Sequence, residues 1–362
     1  MLIYLINFIS IPLYNLIIKN KMFFIGLVSF QLFLILALRS DTLGPDLISY
    51  HSMYQYIGTL SWSDLFSRLH FISRTELTSL MDIEGGYAVL NWLMYQLGFS
   101  YHGFLVICAL FSIAPVGLFI YRYSLNPCLS FLIYISTNLY FYNFGILRQS
   151  LAIGFLLCAV PFILKKRWFF TGILFALAFT FHRVSLLWIP VCLLFLFPIT
   201  NKWFLVFCGI AGLLLGIFSI TGTSFLGPLL SMFGKTSYMV NEFTANNMII
   251  LLFITAFLLY TVCDINVLSK IPIYNLLICG LIICMYFEAV CTFTPLARAL
   301  PVVLIFIVVL LPNMLYQTRY YLALEKTTLL RFAITNSLSV FLFIYMILSL
   351  RSNPYIIPYE FY

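Results

Sequence analysis

The stretch Asn143–Ser185, NFGILRQSLAIGFLLCAVPFILKKRWFFTGILFALAFTFHRVS, places Arg148 and Gln149 at the head of one apolar run and His182 and Arg183 at the tail of the next. Lys165, Lys166 and Arg167 lie between the two runs. Two apolar runs joined by a basic turn form a hairpin whose free ends surface together. A charge in or beside hydrocarbon is costly, so Arg148, His182 and Arg183 are functional candidates by position alone.

Composition extends that reading to the whole chain. Hydrophobic residues make up 63% of the 362 positions and charged residues 8%. Mean hydropathy is +1.07. A soluble domain carries roughly 25% charge, so the expected fold is an all-α polytopic membrane protein. The net charge of +8 is scattered between apolar runs and forms no continuous basic face. That distribution supplies topology signals and argues against a nucleic-acid partner. The nine cysteines contain no C-x-x-C pair and sit almost entirely in apolar runs, as small buried hydrophobes. Met1–Ile18 lacks a basic leader and a small-residue cleavage site, and reads as a retained first span.

With about 20 apolar residues per crossing, about twelve spans are expected, near 2–18, 22–38, 102–121, 127–143, 147–164, 168–181, 184–199, 203–220, 247–263, 271–290, 300–316 and 332–350. The run 168–198 reads either as two short spans turning at His182 and Arg183 or as one long tilted helix. Charge favours two. Alternate loops then hold Lys19, Lys21, Arg122, Lys165–Arg167, Lys202, Lys270, Arg319, Lys326 and Arg331, and the positive-inside rule makes them cytoplasmic. Both termini face outward, as do two long loops, 39–101 and 221–246. The whole chain, 1–362, is expected to form a single transmembrane domain.

On that topology Arg148, His182, Arg183, Glu288 and Arg298 share the outer side with Asp46 and Glu84. Arg148 and Arg298 each precede or open a span, where a helix N-terminus favours a phosphate and a guanidinium grips its oxygens. The plainer reading makes them interfacial anchors or ion pairs with Glu288 or Glu84. His182 is a hydrogen-bond donor or proton carrier, or a satisfied packing residue. Glu84, in DIEGGYAVLNW, stands beside glycines that permit close backbone approach. Its following segment reads as an amphipathic interfacial helix. Asp46 precedes Tyr50 and Tyr54, which share a helical face. Either carboxylate suits a general base, and the tyrosines suit sugar rings. There is no G-x-x-x-x-G-K-[ST], H-E-x-x-H or G-x-S-x-G, and no loop D-x-D for a metal. Span centres lack the repeated charges of an ion-coupled path.

Taken in order, R-x-x-x-x-G-x-D-x-x-x-Y (Arg39, Gly44, Asp46, Tyr50), E-x-G-Y-x-x-L-N (Glu84, Gly86, Tyr87, Leu90, Asn91) and N-x-x-x-x-R-Q-x-L-A (Asn143, Arg148, Gln149, Leu151, Ala152) resemble the EpsG-like branch of the bacterial Wzy polymerases of O-antigen and exopolysaccharide. The later K-K-R, F-H, Arg298 and closing NPYIIPYEFY also fit. The sequence departs from the pattern at Arg183, where a small residue is more usual, and in the S-D-T-L before Gly44. The resemblance implies a GT-C-like glycosyltransferase in the bacterial cytoplasmic (inner) membrane, with its site on the periplasmic face. It would need no metal or cofactor and would join undecaprenyl-pyrophosphate-linked oligosaccharide units, with a chain-length regulator protein as partner. Arg148 and Arg298 would clamp the pyrophosphate, with His182 as supporting donor and Glu84 as base, Asp46 in reserve. Asp46, Tyr50, Tyr87, Asn143, Gln149 and Arg183 would bind substrate. A polysaccharide flippase and a membrane acyltransferase using His182 are the competing classes.

Overall fold

The computed structural model describes residues 1–68, 83–197, 270–290, 299–317, 324–351 and 355–362, with isolated positions 199, 207, 210, 211 and 268. Among the described residues every regular element is helical, and the single β-bridge joins Arg39 to Phe361. In chain order the helices are α1 (Leu2–Ile17), α2 (Lys21–Ala37), α3 (Leu47–Gly58), α4 (Trp62–Arg68), α5 (Gly85–Gln96), α6 (Tyr101–Tyr123), α7 (Pro127–Ser136), α8 (Leu147–Leu164), α9 (Trp168–Phe181) and α10 (Trp188–Phe195). They continue with α11 (Pro272–Val290), α12 (Pro301–Leu304), α13 (Ile307–Gln317) and α14 (Leu324–Arg351). Two 3₁₀ turns, Phe141–Phe144 and Arg183–Leu187, interrupt the apolar runs.

Among the described residues, three helices are long and apolar enough to cross a bilayer: Tyr101–Tyr123, Leu147–Leu164 and Ala333–Arg351. Protein covers only 17% of the apolar window in Ala333–Arg351. Leu2, Ile6, Ile9, Leu13 and Leu16 likewise stand exposed along α1. Exposure of that kind needs a hydrocarbon solvent, and the chain is a membrane protein. Expected spans 203–220 (apart from positions 207, 210 and 211) and 247–263, and the loop 221–246, lie outside the described residues. The run 127–143 stops at Ser136 and re-forms as the Phe141–Phe144 turn; Asn138, at φ 61°, takes the left-handed conformation that asparagine tolerates. The run 300–316 is divided between α12 and α13. The loop 39–101 carries helices α3, α4 and α5.

The described chain forms two compact units. In the first, which holds α1–α9 and the end of α14 from Ser339, polar side chains knit helices that hydrocarbon alone would not hold together. Gln31 of α2 donates to Asn7 Oδ1 and to Ser10 Oγ (2.8 Å) on α1. Gly154 of α8 approaches so closely that a Cβ there would lie 2.6 Å from the Phe111 carbonyl oxygen of α6. α8 and α9 form an antiparallel hairpin through Lys165–Arg167, with Phe155 against Phe181 (5.1 Å) and Phe162 against Phe170 (5.4 Å). At its open end α9 stops. His182 donates its N–H to Ala178 O (2.9 Å) and then turns extended, φ −161° and ψ 125°. The 168–198 run is therefore broken at His182, as the charge pattern favoured.

In the second unit Trp188 of α10 donates to Val302 O (2.6 Å) and packs on Phe306, ring centroids 4.6 Å apart. Asn275 of α11 ties down the end of α10 by donating to Phe195 O and Phe197 O and accepting from Ile199 N.

The turn leading into α8 rests on the loop leading into α3. Gly44 has φ +153°, and a Cβ there would overlap the Phe144 carbonyl. Gly145 meets the Pro45 ring the same way. Gly44→Ala is expected to destabilise the protein by about 1–3 kcal/mol, read as a lower melting temperature of the detergent-purified chain; an equivalent exposed glycine, Gly172, has open space around it and should tolerate alanine.

Candidate active site

Four segments far apart in the chain meet at the open end of the α8–α9 hairpin. Arg148 is the second residue of α8 and His182 the residue after α9, so the hairpin puts both at one end. Glu84 is the residue before α5, and Gly86 brings that helix start against α9. A Cβ on Gly86 would overlap Thr180 Oγ1 and stand 2.9 Å from the Thr180 carbonyl oxygen. Tyr50 comes from the buried face of α3, which it shares with Tyr54 at helical spacing.

Glu84 is shared. Its Oε2 accepts from Arg148 Nη1 at 2.5 Å and its Oε1 pairs with His182 Nδ1 at 2.8 Å. With a carboxylate acceptor on Nδ1, the network places the imidazole proton there. Nε2 then has no hydrogen-bond partner among the described residues. Arg148 also donates Nε–H to Tyr50 Oη (3.3 Å) and lies 5.9 Å from that ring's centroid. The three partners are partly shielded, with side-chain exposures of 24% for Arg148, 21% for His182 and 10% for Glu84.

The electrostatics follow from this placement. An arginine in the first turn of a helix opposes the helix dipole, while a carboxylate there is favoured. Glu84 lies at the starts of both α5 and α8 and relieves that conflict. Burial pushes its carboxyl pKa up, but the hydrogen bond with His182 and the Arg148 and His182 charges outweigh burial and hold it at about 2, against an ordinary 4.5. A carboxylate held that low is a weak proton acceptor. Burial raises the Tyr50 hydroxyl against the opposing pull of Arg148, and raises the fully buried Tyr87 hydroxyl much further. Both phenols therefore remain donors at neutral pH.

The other expected site residues are distributed differently. Tyr87, on α5 close behind Glu84, packs edge-on to Tyr50 at 5.6 Å. Its hydroxyl, both amide atoms of Gln149 and Ser185 Oγ are buried without hydrogen-bond partners among the described residues. Asp46 precedes α3 without capping it and makes no ion pair with Arg148 or His182. Asn143 is buried in the turn before α8, donating to Tyr134 Oη, Leu139 O and Tyr140 O, and supports the turn rather than lining the site. Arg183 is exposed. Arg298 and the Glu288 side chain lie outside the described residues. Among the described residues no cluster of three or more His, Cys, Asp or Glu could hold a metal. α5 packs its Ala88 against Ile57 of α3 and Leu65 of α4, so the segment expected at the interface also builds a small core. Thr180 and Ser185 were not singled out by sequence; the doubled glycine beside Glu84 was the signal for Thr180, and Ser185 carried none.

The sequence matches the EpsG family over residues 3–361. The chain belongs to the EpsG family. That membership suggests a polysaccharide polymerase-like, glycosyltransferase-like role in the membrane. None of the curated proteins or solved structures compared with this chain matches it.

Two outcomes are expected at this site. Glu84 has a depressed pKa in the folded chain, so its contribution is present above the ordinary 4.5 and is lost as pH falls toward about 2. The difference corresponds to about 3 kcal/mol. Melting temperature in detergent should fall through that acid window, and Glu84→Gln should flatten the fall. Gly86→Val should force α5 off Thr180, separate Glu84 from His182 and lower activity at least tenfold while the chain still inserts, as membrane-fraction immunoblots can check.

Proposed function

We propose that this EpsG-family protein is a polysaccharide polymerase, a glycosyltransferase that joins undecaprenyl-pyrophosphate-linked repeat units at the outer face of the bacterial cytoplasmic membrane. The observation that carries the reading is one carboxylate, Glu84, shared by an arginine at a helix start and a histidine. A reaction that releases pyrophosphate needs positive charge at the leaving group and a base at the acceptor. The shared carboxylate keeps both within one cluster.

In this mechanism an acceptor sugar hydroxyl loses its proton to His182 Nε2 as its oxygen attacks the donor's anomeric carbon. The bond from that carbon to the pyrophosphate oxygen breaks, and lipid pyrophosphate leaves. Glu84 orients the imidazole and stabilises its protonated form, a positioning role in place of the base role expected from sequence. With a neutral imidazole, Arg148 and Glu84 cancel. Once His182 takes the proton the cluster carries a net positive charge, as negative charge grows on the departing pyrophosphate. Arg148 and the N-terminus of α8 face that charge, and Arg298 is proposed as a second clamp. A positioned donor of this kind is worth about 10²–10³ in rate. The unpartnered Tyr87 hydroxyl and Gln149 amide, with Tyr50, are proposed to take up sugar hydroxyls. Asp46 and Arg183 are proposed contacts at the margin. A chain-length regulator protein is a proposed partner.

The His182–Glu84 pair also suits an acyltransferase, and the same experiment separates the two. In a strain lacking the gene, complementation with the wild-type chain should restore long surface polysaccharide on a gel. Arg148→Ala and His182→Ala should each leave single repeat units on the lipid carrier. Normal chain-length ladders from well-expressed Arg148→Ala protein would rule the polymerase out. Normal ladders with loss of an acyl substituent would assign acyl transfer, and lipid-linked units retained on the cytoplasmic side would assign flipping.

A further inference from the structure

Arg39 follows α2 and is, among the described residues, the largest charged side chain shut away from solvent, with 1% exposure. Its Nε, Nη1 and Nη2 find no hydrogen-bond partner among the described residues. Among the described residues no carboxylate pairs with it; the guanidinium carbon instead lies 5.1 Å from the Phe144 ring centroid, within cation–π range. Tyr4, Tyr101, Tyr140, Tyr359 and Cys108 are its other electrostatic neighbours. Each of those hydroxyls donates its proton to a main-chain carbonyl: Tyr4 to Ile356 (2.9 Å), Tyr101 to Leu47 (2.9 Å), Tyr140 to Leu32 (2.9 Å) and Tyr359 to Ile35 (2.8 Å). A phenol that donates its O–H in a hydrogen bond to a carbonyl keeps its oxygen lone pairs. The cation thus lies against one aromatic face, within electrostatic reach of phenol oxygens that make no hydrogen bond to it.

The C-terminal segment closes this chamber. Ser40 N donates to Glu360 O (2.8 Å) and Tyr362 N to Leu38 O (3.0 Å), forming the bridge between Arg39 and Phe361. The Tyr362 ring stacks at 3.6 Å on His102, which pairs with Asp41 at 2.8 Å. Beneath the guanidinium, Phe144 ends the 3₁₀ turn from which α8 departs. Its carbonyl is pressed against Gly44 and the next residue against Pro45. Ile146 N then bonds to Tyr142 O (2.9 Å), and α8 opens with Leu147 and Arg148.

We propose that Arg39 is a positioning residue for Arg148: seated on Phe144 and held down by the C-terminal segment, it fixes the turn that aims the first residues of α8 at Glu84. Burying an unpaired charge is a cost to stability, and replacing such a charge with an apolar side chain is often neutral or stabilising. Its presence is explained by geometry at the far end of the turn. The inference rests on Arg148 being a functional group, but its readout does not depend on polymer synthesis.

The test follows the Glu84 carboxyl by infrared titration of the full chain in detergent, with the band assigned by its loss in Glu84→Gln. Arg148→Ala sets the reference for a carboxylate without its guanidinium. Arg39→Met and Phe144→Leu should each raise the Glu84 midpoint toward that reference, by about one pH unit or more. Combining them should add little, and the melting temperature of Arg39→Met should be unchanged or higher. A folded Arg39→Met or Phe144→Leu chain with an unmoved midpoint would overturn the proposal, as would a lowered melting temperature alone. If the midpoint moves but Arg148→Ala still makes long polymer, the positioning stands and the polymerase reading falls.

Discussion

Everything at the candidate site depends on one carboxylate serving two partners. In a chain with so little charge, an arginine at the start of an apolar helix has few ways to be neutralised. Water is scarce and the helix dipole opposes it. Glu84 solves that problem for Arg148 and, with its second oxygen, sets the proton of His182. The hairpin of α8 and α9 then has a defined open end, and α5 must approach within backbone contact for the carboxylate to reach both. The glycine at position 86 makes that approach sterically possible.

The same constraint explains how the segment between α2 and α6 is organised. Its helices α3 and α5 are not independent of the membrane helices. Tyr50 reaches Arg148, Tyr101 of α6 donates to Leu47 at the start of α3, and Tyr54 donates to Phe99 O. Tyrosines recur because a phenol adds a large apolar ring and one hydroxyl that can satisfy a main-chain carbonyl. Such residues let α3 dock on the longer helices α6 and α8 without adding charge.

Of the fold, the helical class, the membrane character and the individual helices of the first unit were legible in the sequence. Apolar length and the absence of charge leave a backbone in hydrocarbon no alternative but to bond within itself. The boundaries 147–164 and 168–181 coincide with α8 and α9 because charge stops each run abruptly. Legibility fails at Ser136 and at Ile305–Phe306. There the chain stays apolar while the helix breaks, and hydropathy cannot register a turn built on Asn138 and Asn143. The site was partly legible. Arg148, His182, Glu84 and Tyr50 were singled out, with Asp46 only in reserve behind Glu84, but Asn143 was grouped with the substrate residues although its amide holds up a turn.

Sequence alone determined that Arg148 and His182 would emerge together. Lys165–Arg167 is a basic turn between two apolar runs, and an antiparallel hairpin returns the chain to the level at which it began. It could not determine which acid would meet them. Glu84, Asp46 and Glu288 were all on offer, and the choice depends on contacts between segments 64 and 98 residues apart in the chain. Tertiary structure decided it through steric fit: Gly86 against Thr180 draws α5 to α9, and Gly44 and Gly145 seat the turn before α8 on the loop before α3. Those glycines exert their effect through the side chain they lack, and only the packed neighbours reveal what that absence admits.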